Sequence, residues 1–357
     1  MAFNRLIPFV GFHTRIADHE AVPAPIRLLD EGLAPLGCNA LILEFNPGYS
    51  YRCFPQYATG TFNARSAALL RDACRKHHIR LIPLFQGLSH QSDFSPEPWP
   101  LFKDHPELLE TPDISKDAAW PDFYCHSWCA SNDDVYKFVL PMIDELADVF
   151  EPEVMHIGID EVFELGEDSC PRCRGKNKAD LLARTVKKLY DHLASKNIET
   201  MMWGDRLLDA AKLGYQMWEA DKFGMHPAFD DKDRIRRDIM ICDWHYDYHD
   251  HGYPSVDQFM EAGFYTIPSV AVDIRQVKHF WSHCLEAVYL GKKLNWPGQM
   301  AGMLFTHWTP LTASGVDDLL RGIRRETVDR TIPFGSGETG EVIGQMMAAV
   351  KQMRKVQ

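Results

Sequence analysis

No run in this chain approaches the roughly 20 consecutive apolar residues that cross a bilayer as a helix. Lysine and arginine number 38 against 50 aspartates and glutamates, a formal charge of -12. The first lack argues against a membrane span. The second argues against nucleic acid or an anionic membrane as partner, because either needs a cationic face to neutralise phosphate. A neutral sugar suits such a balance. Met1–Val10 carries only Arg5 and a five-residue apolar stretch broken by Pro8, short of a signal-peptide core. The nine cysteines are an odd number, so reduced thiols in the cytoplasm are expected rather than a disulfide framework. Gly/Ser linkers, low-complexity tracts and internal repeats are also missing, which predicts one domain over 1–357. With 45% hydrophobic residues, a chain of this length can bury a large core.

What is present is alternation. Short apolar runs beginning near Leu6, Ala40, Ile79, Val154, Glu199, Ile239, Phe264 and Gly302 read as strands buried on both faces. Segments with apolar residues at three- and four-residue spacing follow most of them, clearest at Ala64–His77, Asp133–Phe150, Lys178–Lys196 and Ile274–Leu290. Asn132 and Ser131 are candidate N-caps of the second. Eight such units predict an α/β fold, a single (β/α)8 TIM barrel with long loops on its C-terminal face, rather than a doubly wound sheet. The longest insertion, Gly87 to Ala130, follows the third strand on the face where barrel enzymes keep their catalytic groups.

In Val154–Glu161, strand alternation puts His156, Gly158 and Asp160 on one face and Met155, Ile157 and Ile159 on the other. The apolar face should meet the helices, leaving Asp160 in the barrel mouth with Glu161 just beyond. Glycosidic cleavage needs a proton for the leaving oxygen and stabilisation of positive charge at the anomeric carbon, which two carboxyl groups in unlike surroundings can supply.

The run His156-Ile157-Gly158-Ile159-Asp160-Glu161-Val162 resembles the H-x-G-x-D-E signature of family 20 glycoside hydrolases, the β-N-acetylhexosaminidases, and most the single-domain intracellular hexosaminidase D branch. Further resemblances lie at Leu36–Glu44, Pro83–His90, Met202-Trp203-Gly204-Asp205, Trp244-His245-Tyr246 and Leu304–Trp308, in the family's order. The resemblance implies removal of terminal β-linked N-acetylhexosamine, GalNAc or GlcNAc, from a glycan or glycoconjugate by substrate-assisted retaining catalysis. It implies Asp160 as the group orienting the acetamido substituent and Glu161 as general acid/base. His90, Trp203, Asp205, Trp244, Tyr246 and Trp308 are implied to line the substrate site, with Tyr246 bonding the acetamido oxygen. No cofactor is implied for catalysis, and a homo-oligomer is compatible with the sequence.

Three family features are missing: the first strand offers no Arg before Arg15, Asn46 stands where an acid is expected, and Trp308-Thr309-Pro310 replaces W-x-E. They motivate a rival reading as a sugar-binding barrel with a decayed site. A second rival, a metal-dependent barrel hydrolase, rests on the His- and Asp-rich run Asp243–His251. That run lacks a helical i, i+4 histidine pair and reads better as a polar site loop. Cys125, Cys129, Cys170 and Cys173 flank the fourth strand and are expected to converge as a structural zinc site, with His126 as a substitute ligand.

Overall fold

A computed structural model describes residues 5–45, 47–92, 97–113, 124–222, 224–229, 234–328 and 334–355; Asn46 and parts of the 87–130 insertion lie outside the described residues. Nine strands form one parallel sheet: β1 (Phe9–Arg15), β2 (Ala40–Glu44), β3 (Arg80–Gly87), β4 (Val154–Gly158), β5 (Glu199–Trp203), β6 (Met240–Trp244), β7 (Tyr265–Val270), β8 (Gln299–Met300) and β9 (Gly302–Pro310). The order β6-β5-β4-β3-β2-β1-β9-β7 closes on itself through β6–β7 pairing. β8 and β9 are two halves of the eighth stave, both pairing with β7. The result is a closed (β/α)8 barrel. Strand starts match the sequence reading to within a residue except at the first and last staves. Pro8 has no N–H to give a ladder, so β1 begins at Phe9 rather than Leu6.

The helices are set by their caps. Asn63 accepts from the backbone N–H groups of Arg65 and Ser66 and starts Ala64–Lys76. Asn132 caps a 3-10 turn at Asp133–Val135 that leads into Tyr136–Phe150, while Ser131, the other candidate cap, lies beside Cys173. Asn177 and Asp273 cap Lys178–Ser195 and Ile274–Leu294. The last helix outruns its expected end at Leu290 and stops at Asn295, which takes the left-handed conformation.

Strand alternation divides the core into two layers. Ile42, Leu84, Met201, Trp203, Cys242, Ile267 and Leu304 fill the barrel. Leu41, Leu43, Met155, Ile157, Met202 and Phe305 face the helices, as expected for the odd positions of β4. Among the described residues no helix is long and apolar enough to cross a membrane.

Candidate active site

The site starts from how β4 ends. His156 is fully buried inside the barrel, and its Nδ1 accepts the Gly158 N–H at 3.0 Å. Burial above all, helped by His13, holds its pKa well below the ordinary histidine value, so it is a neutral acceptor. Gly158 has φ of +69°, and a Cβ there would lie 2.1 Å from Gln86 Oε1. Only glycine meets both demands. Gly158→Ala is therefore expected to cost about 1–3 kcal/mol of stability, measurable by denaturant unfolding, and to lower activity by displacing the segment that follows.

That segment departs from simple alternation. Ile159 and Glu161 also have positive φ, 74° and 48°, which is uncommon for non-glycine residues and costly for a β-branched one. The strained turn is held by Ser89, whose hydroxyl donates to the Asp160 carbonyl at 2.5 Å, and by Asp205, whose Oδ2 accepts the Glu161 N–H at 2.9 Å.

The two carboxylates then meet one imidazole. His90 Nε2 lies 3.2 Å from Asp160 Oδ2 and 3.5 Å from Glu161 Oε2, and His90 itself has φ of +56°. Burial disfavours the charged ring, but nearby acidic groups outweigh it and raise the His90 pKa well above its ordinary value. Cys125 Sγ sits 3.3 Å from His90 Nδ1. Burial pushes this thiol up to about 12, so it is neutral near pH 7 and Asp160 is the anion that matters. Glu161 also accepts from Tyr124 Oη at 2.9 Å. Burial opposes its ionisation, yet His90, Tyr124 and Arg206 together hold it below the usual glutamate range. Asp160 Oδ1 is buried and accepts no hydrogen bond among the described residues, an acceptor left over for a donor entering the mouth.

The aromatic residues of the expected site lie near one another. Trp203 and Trp244 end β5 and β6, and Trp308 lies near the end of β9. Trp203 and Trp308 have centroids 5.7 Å apart, Trp244 and Tyr246 5.1 Å. The Trp308 indole N–H donates to Tyr246 Oη at 2.8 Å, with Thr306 Oγ1 at 3.0 Å. Asp205 requires correction as a substrate contact. Its side chain is buried, Oδ1 accepts from the Trp244 indole at 3.2 Å, and Oδ2 is shared by the Glu161 N–H and Arg206 Nε at 2.6 Å. It ties the β4 turn to Trp244 instead of touching the mouth. Burial and nearby Asp160 push its carboxyl up to about 6 despite Arg206.

Three participants escaped the sequence reading. Glu44, last residue of an otherwise apolar strand, lies 3.2 Å from His13 Nε2 and 3.6 Å from Arg15 Nε, and accepts from Gln86 at 3.4 Å. Burial opposes its charge, but Arg15 and His13 hold it down at about 2. The charged terminus of Ala-Leu-Ile-Leu-Glu was the available signal. Tyr124 lies in the irregular insertion, where no periodicity marks it. Glu219 accepts from His249 at 2.8 Å, pairs with His245 at 3.2 Å and accepts the Tyr246 N–H at 3.3 Å.

Glu219 explains the His-rich run Asp243–His251: its charges clamp the backbone that carries Tyr246. Burial works against a charged His245, but Asp243 and Glu219 lift it to about 9. A raised histidine pKa stabilises fully below the unfolded value, about 6.5, and that contribution fades as pH rises through the folded one. Melting temperature is therefore expected to fall between about pH 7 and 9 by the equivalent of about 2–3 kcal/mol. His245→Asn should flatten this slope in thermal scans against pH.

The expected four-thiol set is corrected as well. Cys125 belongs to the His90–Glu161 group, 3.8 Å from Glu161 Oε2. Cys125 thus gathers with His90 and Glu161, apart from the group that holds Cys129, Cys170 and Cys173. Glu110 instead joins Cys129, Cys170 and Cys173. His126, the substitute ligand, is engaged by Glu164 at 3.0 Å.

The sequence profile of the glycosyl hydrolase family 20 catalytic domain matches residues 51–313. No curated protein sequence matches the chain. Among solved structures, a β-N-acetylhexosaminidase from Bacteroides fragilis is 15% identical with a TM-score of 0.59, over 98% of this chain and 71% of its own. A chitobiase from Flavobacterium johnsoniae is 16% identical with a TM-score of 0.62, over 98% of this chain and 50% of its own. A β-N-acetylhexosaminidase from Streptomyces coelicolor is 13% identical with a TM-score of 0.55, over 96% and 70%. At these identities the likeness is one of fold.

Proposed function

Because the chain belongs to glycosyl hydrolase family 20, and is thus a glycosidase acting on glycans, we propose that it removes terminal β-linked N-acetylhexosamine, GalNAc or GlcNAc, by substrate-assisted retaining catalysis. The observation that carries this reading is one imidazole shared by Asp160 and Glu161, with Asp160 Oδ1 unengaged among the described residues and an aromatic group around Tyr246 nearby. Asp160 accepts the acetamido N–H, and Tyr246 donates to the acetamido oxygen as that oxygen attacks the anomeric carbon. Trp203, Trp244 and Trp308 enclose the methyl group and sugar face. Glu161 protonates the leaving oxygen and afterwards removes a proton from water. A sugar covering the mouth displaces water and adds to the burial already opposing Glu161 ionisation, so the proton held by His90 moves toward Glu161.

Glu44 is a poor alternative nucleophile, since its oxygens are committed to His13, Arg15 and Gln86. None of the nine cysteines is in a disulfide, which suits the cytoplasm as the working compartment. The test is a panel of aryl N-acetylhexosaminides beside the corresponding plain hexosides, with a stable thiazoline analogue of the cyclised intermediate. N-acetylated substrates should be cleaved, plain ones left nearly untouched, and the thiazoline should inhibit tightly. Equal cleavage of the plain hexosides would sink the substrate-assisted mechanism. Binding without turnover would instead mark a sugar-binding barrel.

A further inference from the structure

Beside the acid pair but separate from it, Glu110, Cys129, Cys170 and Cys173 are each at most 1% exposed. Cys129 Sγ lies 3.6 Å from Cys170 Sγ and 3.5 Å from Cys173 Sγ, and one donor atom from each of the four residues fits within 4.8 Å of every other. Four donors tetrahedral about zinc with Zn–S near 2.3 Å stand about 3.8 Å apart along each edge. Thiols in a disulfide would be about 2.05 Å apart, and three thiols leave one over in any pairing. We propose that these four residues form a closed, structural zinc(II) site with three thiolate ligands and one carboxylate.

The surroundings are those of a ligand set. Glu110 Oε1 accepts the Glu167 N–H at 3.0 Å, while Oε2 is buried with no hydrogen-bond partner among the described residues. A buried carboxylate oxygen without a donor or cation is costly, and a divalent ion supplies the missing partner. The C-x2-C turn is closed by the Cys173 N–H, which donates to the Cys170 carbonyl at 3.3 Å and brings the two side chains to one place. Cys173 Sγ lies 3.3 Å from Ser131 Oγ, which accepts from Lys176 at 2.9 Å. Donors and a cation around the sulfurs are what thiolates require.

Four protein ligands leave no open position, so this ion has no part in bond cleavage. Its effect is mechanical. Glu110 and Cys129 come from the insertion after β3, Cys170 and Cys173 from the loop after β4. Joining them clamps together the two segments that carry Tyr124 and Glu161. Other ties between them include the His126–Glu164 pair, the Ser127 N–H on Glu164 Oε2 at 3.2 Å and the Tyr124 hydroxyl on Glu161 at 2.9 Å.

The test is elemental analysis and X-ray absorption on full-length protein purified without chelator. Roughly one zinc per chain is expected, with three sulfurs at about 2.3 Å and one oxygen at about 2.0–2.2 Å. Cys173→Ser and Glu110→Gln should each lose most of the bound zinc. Should those variants fail to fold, titrating wild-type thiols with a mercurial must release the zinc in step with sulfur modification. The proposal falls if wild type holds less than about a tenth of an equivalent both as purified and after refolding with zinc. A shell of nitrogen and oxygen alone, or of four sulfurs, overturns the ligand assignment.

Discussion

Glu161→Gln is expected to lower kcat/KM by about 10³–10⁴-fold on N-acetylhexosaminides with poor leaving groups, such as a second sugar, and by less than about tenfold on activated phenols. Gln is nearly isosteric and retains an oxygen to accept from Tyr124, which donates to Glu161 at 2.9 Å. The change therefore removes proton transfer while largely preserving shape. An alkoxide cannot depart unprotonated, whereas a nitrophenolate can. Plotting log(kcat/KM) against leaving-group pKa should give a much steeper line for the variant. Parallel lines would mean that Glu161 is not the proton donor.

Asp160→Asn should behave differently, losing about 10²–10³-fold on every N-acetylated substrate whatever the leaving group. Its carboxylate would face positive charge spread over the acetamido group as the ring closes, and an amide cannot supply that charge. The uniformity has a structural reason: Asp160 is buried, with Oδ2 on His90 and Oδ1 otherwise unengaged among the described residues, so its field is little screened. Asparagine also presents an N–H where the acetamido N–H must donate. Affinity for the thiazoline should drop in parallel with the rate. A variant that keeps its thiazoline affinity while losing rate would show that Asp160 does not act on the cyclised group.

The barrel was legible because its strands are buried on both faces and its helices keep strict apolar spacing, and both signals are local. Asp160 and Glu161 were legible because they stand at and just past the end of a buried strand, where fold and chemistry coincide, whereas Tyr246 and the three tryptophans entered through the resemblance of their motifs to the family. Asp205 has the same address, yet its side chain turns under the mouth to accept from Glu161 and Trp244. Position at a strand end does not fix rotamer direction. Cys125 was misplaced because spacing counts residues and not the path between them. Glu44, Tyr124, Glu219 and Glu110 were missed because each acts through partners 19 to 63 residues distant in sequence, and no local periodicity encodes such pairings.

Tyr124 and Cys125, which touch Glu161 and His90, are not part of the barrel staves but of the insertion between β3 and Tyr136–Phe150. In the proposed mechanism the grip on the N-acetyl group would come, by contrast, from residues at or just past strand ends, which cannot drift without disturbing the sheet. Mutation in one loop can therefore retune proton strength and reshape the outer approach together, while the innermost sugar stays fixed. Lineages carrying this architecture have a route to new glycoconjugates that leaves the buried half of recognition untouched, and exchanging that loop between relatives should transfer preference for the departing group and pH profile as one inherited trait.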